Sequence, residues 1–409
     1  MNLVSQAHAL QPHIVQVRRE IHQIAEVGLN TFQTASVILR ELKAIGIPEE
    51  DIRVMVNGAA VAAVIHGATP GKCLGIRVDS DALPIREETD EPFKSTNGNL
   101  HACGPDTHVA IGLGAAKLIY DNREHLIGDV KMIFQPGEET ASGAKAMIEE
   151  GVLENPTVDA LISLHCRVLD KRLPEFPCGS LAATTGFSSS ACTLAFRTVF
   201  KGKGAHGGSS PPLSVDPIFM GAAAIMQLQS IVSRERNPIE PAVLSVCHIE
   251  AGTKDNIIPE ELFFEGTIRT LSLEYAKHIF HRVETICSSV ADSMGGSSTT
   301  TMEHCLPDTK TDAALLKVFR RSAEKVVGKD RVYTLTQPAM GGEDLGYFSE
   351  LIPTLRFRHS QRYDDGREQY STHNPKFTSC EDGYWSGSAC LAQCAFDWQK
   401  EESEMESRT

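Results

Sequence analysis

The chain has 409 residues, 41% hydrophobic and 22% charged, with a formal net charge of −14 at neutral pH. That balance belongs to a globular protein long enough for two domains, and its acidity argues against nucleic acid or an acidic membrane as partner. No apolar run reaches the roughly 18 residues of a membrane span, the start Met1-Asn2-Leu3-Val4-Ser5-Gln6 lacks a secretory pattern, and eleven scattered cysteines, Cys192 and Cys247 among them inside apolar runs, predict buried, reduced thiols in a cytoplasmic protein.

Residues 10 to 46 read as two helices. The second, Thr34 to Ile45, aligns Val37, Ile38, Leu42 and Ile45 on one face and stops at Gly46, with Pro48 beyond. Strand patterns follow at Ala60–Ile65 and Leu74–Val78. Next come a helix from His108 to Leu118, a strand Val130–Phe134, a helix Ala144–Glu150 and a strand Ala160–Leu164. This alternation is the mark of an α/β fold, a central sheet flanked by helices. After Gly179 the pattern changes. Strands at Ala191–Arg197, Ala242–Ile249, Leu262–Ile268 and Ser298–Met302 surround helices at Pro217–Ser233 and Leu273–Ala291. These predict a smaller α+β domain, 182–303, inserted between a first part, 1–181, and a second part, 304–409, of the main domain. The charged tail, Lys400-Glu401-Glu402-Ser403-Glu404, reads as frayed.

Chemistry concentrates at Gln135-Pro136-Gly137-Glu138-Glu139, directly after the strand Val130–Phe134. Two adjacent carboxylates repel unless a cation lies between them. A hydrolytic metal site needs such a pair: one carboxylate binds the cation, and the other moves the proton of the attacking water. Other donors stand in His101-Ala102-Cys103-Gly104-Pro105-Asp106-Thr107-His108, in Ser163-Leu164-His165 and in Ser371-Thr372-His373-Asn374-Pro375. Each lies at a strand end or in a loop, where open α/β sheets build their sites. A thiolate favours zinc, while carboxylate and imidazole also accept manganese, cobalt or iron.

Taken in order, these segments resemble the M20 metallopeptidase family, and within it the amidohydrolases that remove N-acyl groups from amino acids. The resemblance starts at Arg18-Arg19-Glu20-Ile21-His22 and takes in Arg77-Val78-Asp79-Ser80-Asp81. It continues through Gly204-Ala205-His206, Asn256-Ile257-Ile258-Pro259 and Gly266-Thr267-Ile268-Arg269, and ends at His373-Asn374-Pro375. It implies Cys103, Glu139, His165 and His373 as metal ligands and Glu138 as general base. It further implies Asp81 as a support that fixes a histidine tautomer, Asn256 and Arg269 as substrate contacts, and a small-molecule carboxylate substrate. The insertion becomes a lid that also pairs two subunits, giving a homo-oligomer in which His206 reaches the neighbour's site to steady an oxyanion.

Two positions depart from the family pattern. Pro105 stands where a second histidine ligand is usual, and Thr107 where glycine is usual. Proline has no side-chain donor, so one divalent cation per chain is expected, with His101, Asp106 or His108 as possible substitute ligands or supports. The shared chemistry is hydrolysis of a C–N bond. The departure favours an electron-poor aryl amine as the target, ahead of an N-acyl amino acid, with a silent binding relative third.

Overall fold

The computed structural model describes residues 2–173, 175–185 and 188–406. In chain order these form α1 (Leu3–Ile24), α2 (Phe32–Ile45), β1 (Ile52–Met55), β2 (Ala60–His66), β3 (Thr69–Asp79), α3 (Pro105–Asp121), β4 (Ile127–Gln135), α4 (Gly143–Glu149), β5 (Val158–Arg167) and β6 (Leu181–Thr184). Then come β7 (Cys192–Lys201), β8 (Ala205–His206), α5 (Pro217–Ser230), β9 (Ala242–Ala251), β10 (Ile257–Ile258), β11 (Glu261–Thr270), α6 (Leu273–Ser293) and β12 (Ser297–Leu306). The last elements are α7 (Ala313–Val327), β13 (Val332–Leu335), α8 (Gly346–Ser349), β14 (Thr354–Ser360) and α9 (Tyr384–Glu406). Two units result. The larger takes Met1–Ser189, Lys310–Pro338 and Tyr347–Thr409, the smaller Ser190–Thr309 and Ala339–Gly346.

The larger unit is α/β. Its eight strands run in the order β1-β2-β4-β3-β5-β14-β6-β13. The centre is parallel: β3 pairs with β4 and β5, and β5 with β14. Ile76, Val78, Phe134, Ile162, Leu164 and Phe357 are buried there, the near-continuous apolar strands that a covered parallel sheet demands. Helices α1, α3 and α9 pack against one another. Gly114 permits that approach, since a Cβ there would lie 2.4 Å from Ser388 Oγ and 2.8 Å from Ile14 Cδ1. Helix α2 ends as its sequence requires: Gly46 adopts φ 103° and its N–H bonds to the carbonyls of Leu42 and Lys43.

The smaller unit is a four-stranded antiparallel sheet, β12-β7-β11-β9, with α5 and α6 packed on it. Phe196, Phe200, Phe264, Leu228 and Val283 form its core.

Four expectations change. The unit boundary lies at 189/190 rather than 181/182, because β6 pairs with β14 and β13 of the larger sheet. Residues 339–346 also belong with the smaller unit, and its far boundary falls at 309/310 rather than 303/304. The tail is not frayed at Lys400–Glu404: those residues continue α9, and Glu402 pairs with Lys72 at 2.5 Å. Cys192 is buried, but Cys247 is exposed. It falls at a register shift in the edge strand β9, where one residue is left over opposite β11.

Gly114→Val tests the helix packing. Helix propensity favours valine over glycine by only a few tenths of a kcal/mol, whereas overpacking costs about 1–3 kcal/mol. The variant is expected to unfold at lower urea with an unchanged m-value.

Candidate metal centre

Strands β3, β4 and β5 end side by side, and each carries a site residue to that edge. Asp79 closes β3, Gln135 closes β4 with the Glu138–Glu139 turn beyond it, and His165 lies near the end of β5. The turn needs Gly137, which has φ 69° and whose Cβ would sit 2.6 Å from Leu29 Cδ2. Asp81 fixes the turn: Oδ1 accepts from Glu138 N at 2.8 Å and Oδ2 from Glu139 N at 3.3 Å. Two backbone dipoles thus hold the two acidic residues in place.

Cys103 sits in the loop before α3, with Pro105 as the first helical residue, a position proline favours because its missing N–H is not needed there. His373 comes from the loop between β14 and α9. Its N–H donates to Ala102 O at 2.8 Å, which ties the two loops together, and it holds a left-handed φ of 67°. The ligand atoms of Cys103, Glu139 and His373 all lie within 4.8 Å of one another. His373 Nε2 is 3.7 Å from Glu139 Oε2. His165 joins from the side, its Nε2 3.5 Å from Cys103 Sγ. Because His165 Nδ1 donates to Cys166 O at 2.8 Å, Nε2 keeps its lone pair.

These donors fit a cation. Burial pushes the Cys103 thiol well up, and Glu139 raises it further. Burial holds His165 neutral, helped by the positive charge of Arg167. A cation among them would turn that repulsion into shared ligation, and one thiolate, one carboxylate and two imidazoles suit zinc or a borderline first-row ion.

Of the substitute ligands, Asp106 and His108 are engaged elsewhere. Asp106 Oδ2 lies 2.7 Å from both Arg18 Nε and His22 Nδ1, and Oδ1 accepts from Thr107 N at 2.8 Å. Burial alone would raise its carboxyl; Arg18 and His22 hold it well below the usual range instead. His108 donates from Nδ1 to Asp79 at 3.0 Å and accepts Cys166 N on Nε2 at 2.9 Å, so both ring nitrogens are used. Asp79 thus fixes the tautomer of His108, and Asp81 accepts the backbone N–H groups of the glutamate turn. His101 is buried beside His22, ring centroids 6.2 Å apart, and burial pushes it down to about 4. In the smaller unit, His206 Nδ1 accepts from Gly208 N and Ser209 N, at 3.1 and 3.2 Å, which leaves Nε2 as the protonated donor. Gly207 N donates to Asn256 O at 2.9 Å, placing Asn256 next to this loop. Arg269 on β11 donates to Thr193 Oγ1.

Sequence reasoning missed Arg167, Arg356 and Arg358, which share the sheet face of His165. The signal was present as Arg356-Phe357-Arg358, charge alternating with apolar residues in a central strand.

Residues 75–397 match the family described as Peptidase family M20/M25/M40. The chain is 33% identical to an N-acetylcysteine deacetylase of Bacillus subtilis, over 95% of this chain and 97% of that protein. It is also 33% identical to thermostable carboxypeptidase 1 of Saccharolobus solfataricus (93% and 94%) and to an IAA-amino acid hydrolase of Arabidopsis thaliana (95% and 86%). The crystal structure of the Bacillus subtilis YXEP protein, a dinuclear metal-binding peptidase, superimposes with a TM-score of 0.81 at 29% identity, covering 96% of this chain and 99% of that one.

Asp81→Ala tests the turn clamp. Supports of this kind typically carry about 10–100-fold in metal affinity. Zinc titration of the variant is expected to show a weakening in that range while the far-UV dichroism stays that of the parent.

Proposed function

The chain belongs to peptidase family M20/M25/M40, and from that membership we propose that it is a metal-dependent hydrolase that breaks a carbon–nitrogen bond in a small carboxylate-bearing substrate. Cys103, Glu139, His165 and His373 would hold one divalent cation: zinc, manganese, cobalt or iron. Such a cation, when bound, acts as a Lewis acid and lowers the pKa of water toward about 7. Glu138, beside the ligand Glu139, takes the proton of the attacking water and delivers it to the leaving nitrogen. His206 supplies an N–H for developing negative charge, and Asn256 and Arg269 contact substrate. In this reading the smaller unit is a lid that pairs two copies in a homo-oligomer. Eleven free thiols support a cytoplasmic setting, and no helix among the described residues is long and apolar enough to cross a membrane.

The first substrate reading is 5-nitroanthranilate, whose ring amine is replaced by hydroxyl with release of ammonia. Pro105 carries it. A proline at the start of α3 adds no donor, which leaves room for a substrate that brings its own, an amine with a carboxylate ortho to it. The nitro group para to the amine withdraws electrons from the carbon under attack. Water oxygen bonds to that carbon, and a ring electron pair moves onto the nitro group. Glu138 carries the proton to nitrogen, the C–N bond breaks, and aromaticity returns. The second reading, an N-acyl-amino-acid amidohydrolase, draws on the deacetylase and auxin-conjugate hydrolase relatives.

Metal-loaded protein incubated separately with 5-nitroanthranilate, hippurate and an acetylated amino acid separates the two. Nitrosalicylate and ammonia from the first substrate alone are expected; cleavage of only the amides favours the second reading, and no turnover of any sinks both. Glu138→Gln keeps size and metal geometry, and is expected to lower kcat by about 10²–10⁴. His206→Ala is expected to lose turnover yet keep metal. Mixed with Glu138→Gln, it should regain part of the activity, since one site of a mixed dimer then carries neither defect.

A further inference from the structure

Two of the free cysteines, Cys178 and Cys380, meet at the end of β14. Beyond the last paired residues of β6 and β14, Gly179 N donates to Ser360 O and Ser360 N to Ser180 O, both at 2.9 Å, which brings Cys178 to the strand end. Cys380 N donates to Gln361 O, the next carbonyl along, at 2.9 Å. Segments 202 residues apart in sequence thus converge, and Cys178 Sγ lies 3.9 Å from Cys380 O. Gly383 permits the approach: a Cβ there would sit 2.9 Å from Cys178 Sγ and 2.6 Å from Gly179 N.

Both cysteines line a cavity of about 470 Å³, together with Tyr363, Asp364, Ser379 and Asp382. Cys178 is half-buried, and Cys380 is buried in the wall. The two thiols share a hydrogen bond, which pushes Cys178 up and Cys380 down. Asp364 and Asp382 raise both through their negative charge, but at Cys380 the shared bond outweighs them. One thiol primed as a thiolate, with a second beside it to resolve the product, is the arrangement that oxidises to an internal disulfide.

Cys380 also stands at a structurally sensitive place. Residues 361–383 form the loop between β14 and α9, which carries His373. The bond from Cys380 N to Gln361 O closes the base of that loop, and Tyr363 Oη donates to Ser379 O beside it at 2.8 Å. The following residue, Glu381, accepts from Arg19 Nε at 3.0 Å and lies 3.4 Å from Arg18 Nη1.

We propose that Cys178 and Cys380 are a redox pair, which a hydroperoxide converts to a disulfide that staples the base of the His373 loop to the chain entering β6. The Cys380 thiolate attacks one peroxide oxygen, the O–O bond breaks, and the departing oxygen leaves as water with the thiol's proton. The Cys178 sulfur then displaces the sulfenic oxygen from Cys380, and that oxygen leaves as water with the Cys178 proton. Two thiols lose two electrons, and one hydrogen peroxide becomes two waters. A dithiol reductant reverses the bond by thiol–disulfide exchange. In a reducing setting the pair stays open until peroxide rises, as redox-sensing cysteines do.

Full-length protein, reduced and then freed of reductant, is treated with equimolar hydrogen peroxide, and its remaining thiols are alkylated. The expected result is loss of two hydrogens and a digest that links Cys178 to Cys380. The exposed single thiol Cys247 stays open to alkylation, and dithiothreitol restores the parent mass. The oxidised form is expected to unfold at higher urea than the reduced form, because the link closes a long loop in the unfolded chain. Cys178→Ser and Cys380→Ser should each abolish that difference. Mapping on the parent protein decides the matter where a serine variant fails to fold. Cys178 and Cys380 both still alkylated after peroxide, or Cys380 driven on to a sulfinic acid with no link, overturns the proposal. A link that leaves the urea midpoint unchanged overturns the staple.

Discussion

Three carboxylates, Asp81, Glu138 and Glu139, converge just beyond β4, and the site depends on what keeps them together. Asp81 takes the backbone N–H groups of both glutamates, so the acid that should repel the turn instead closes it. Charge-assisted bonds to backbone are among the stronger neutral-to-ion contacts. They fix the turn from which Glu139 comes together with Cys103 and His373. A site so rich in lone pairs suits a divalent ion.

Around this turn the larger unit separates its buried charges. On one side stand acid–base networks that close on themselves: Arg77 and His108 on Asp79, and Arg18 and His22 on Asp106, with His22 also 3.2 Å from Glu87. Such networks add little net stability against an apolar core, but losing one member costs about 3–5 kcal/mol. They therefore act as fixed pins, one behind Cys103 through α3 and one beneath the strand ends. On the other side, beside His165, stand Arg167 of β5 and Arg356 and Arg358 of β14.

Much of the fold was legible because it rests on local pattern. The amphipathic face and glycine stop of α2, and the apolar runs of β2, β4 and β5, stand in the sequence almost as they stand in the structure. The short strands β1, β6 and β13 did not, since four residues carry no period of their own. Cys103, Glu139 and His373 could be singled out because each lies in a dense motif. Asp106 and His108 could not be assigned, because their partners His22 and Asp79 are fixed by tertiary packing and lie 84 and 29 residues away. Arg356 and Arg358 were hidden by their neighbours, whose apolar side chains make β14 read as core.

His373 keeps a left-handed backbone without being glycine. For an ordinary residue that conformation costs about 1–2 kcal/mol. The position therefore sets two selections against each other. A library screened for heat resistance will drift at residue 373 toward glycine or asparagine, and a library screened for turnover will hold histidine, so the two optima cannot be reached by the same chain.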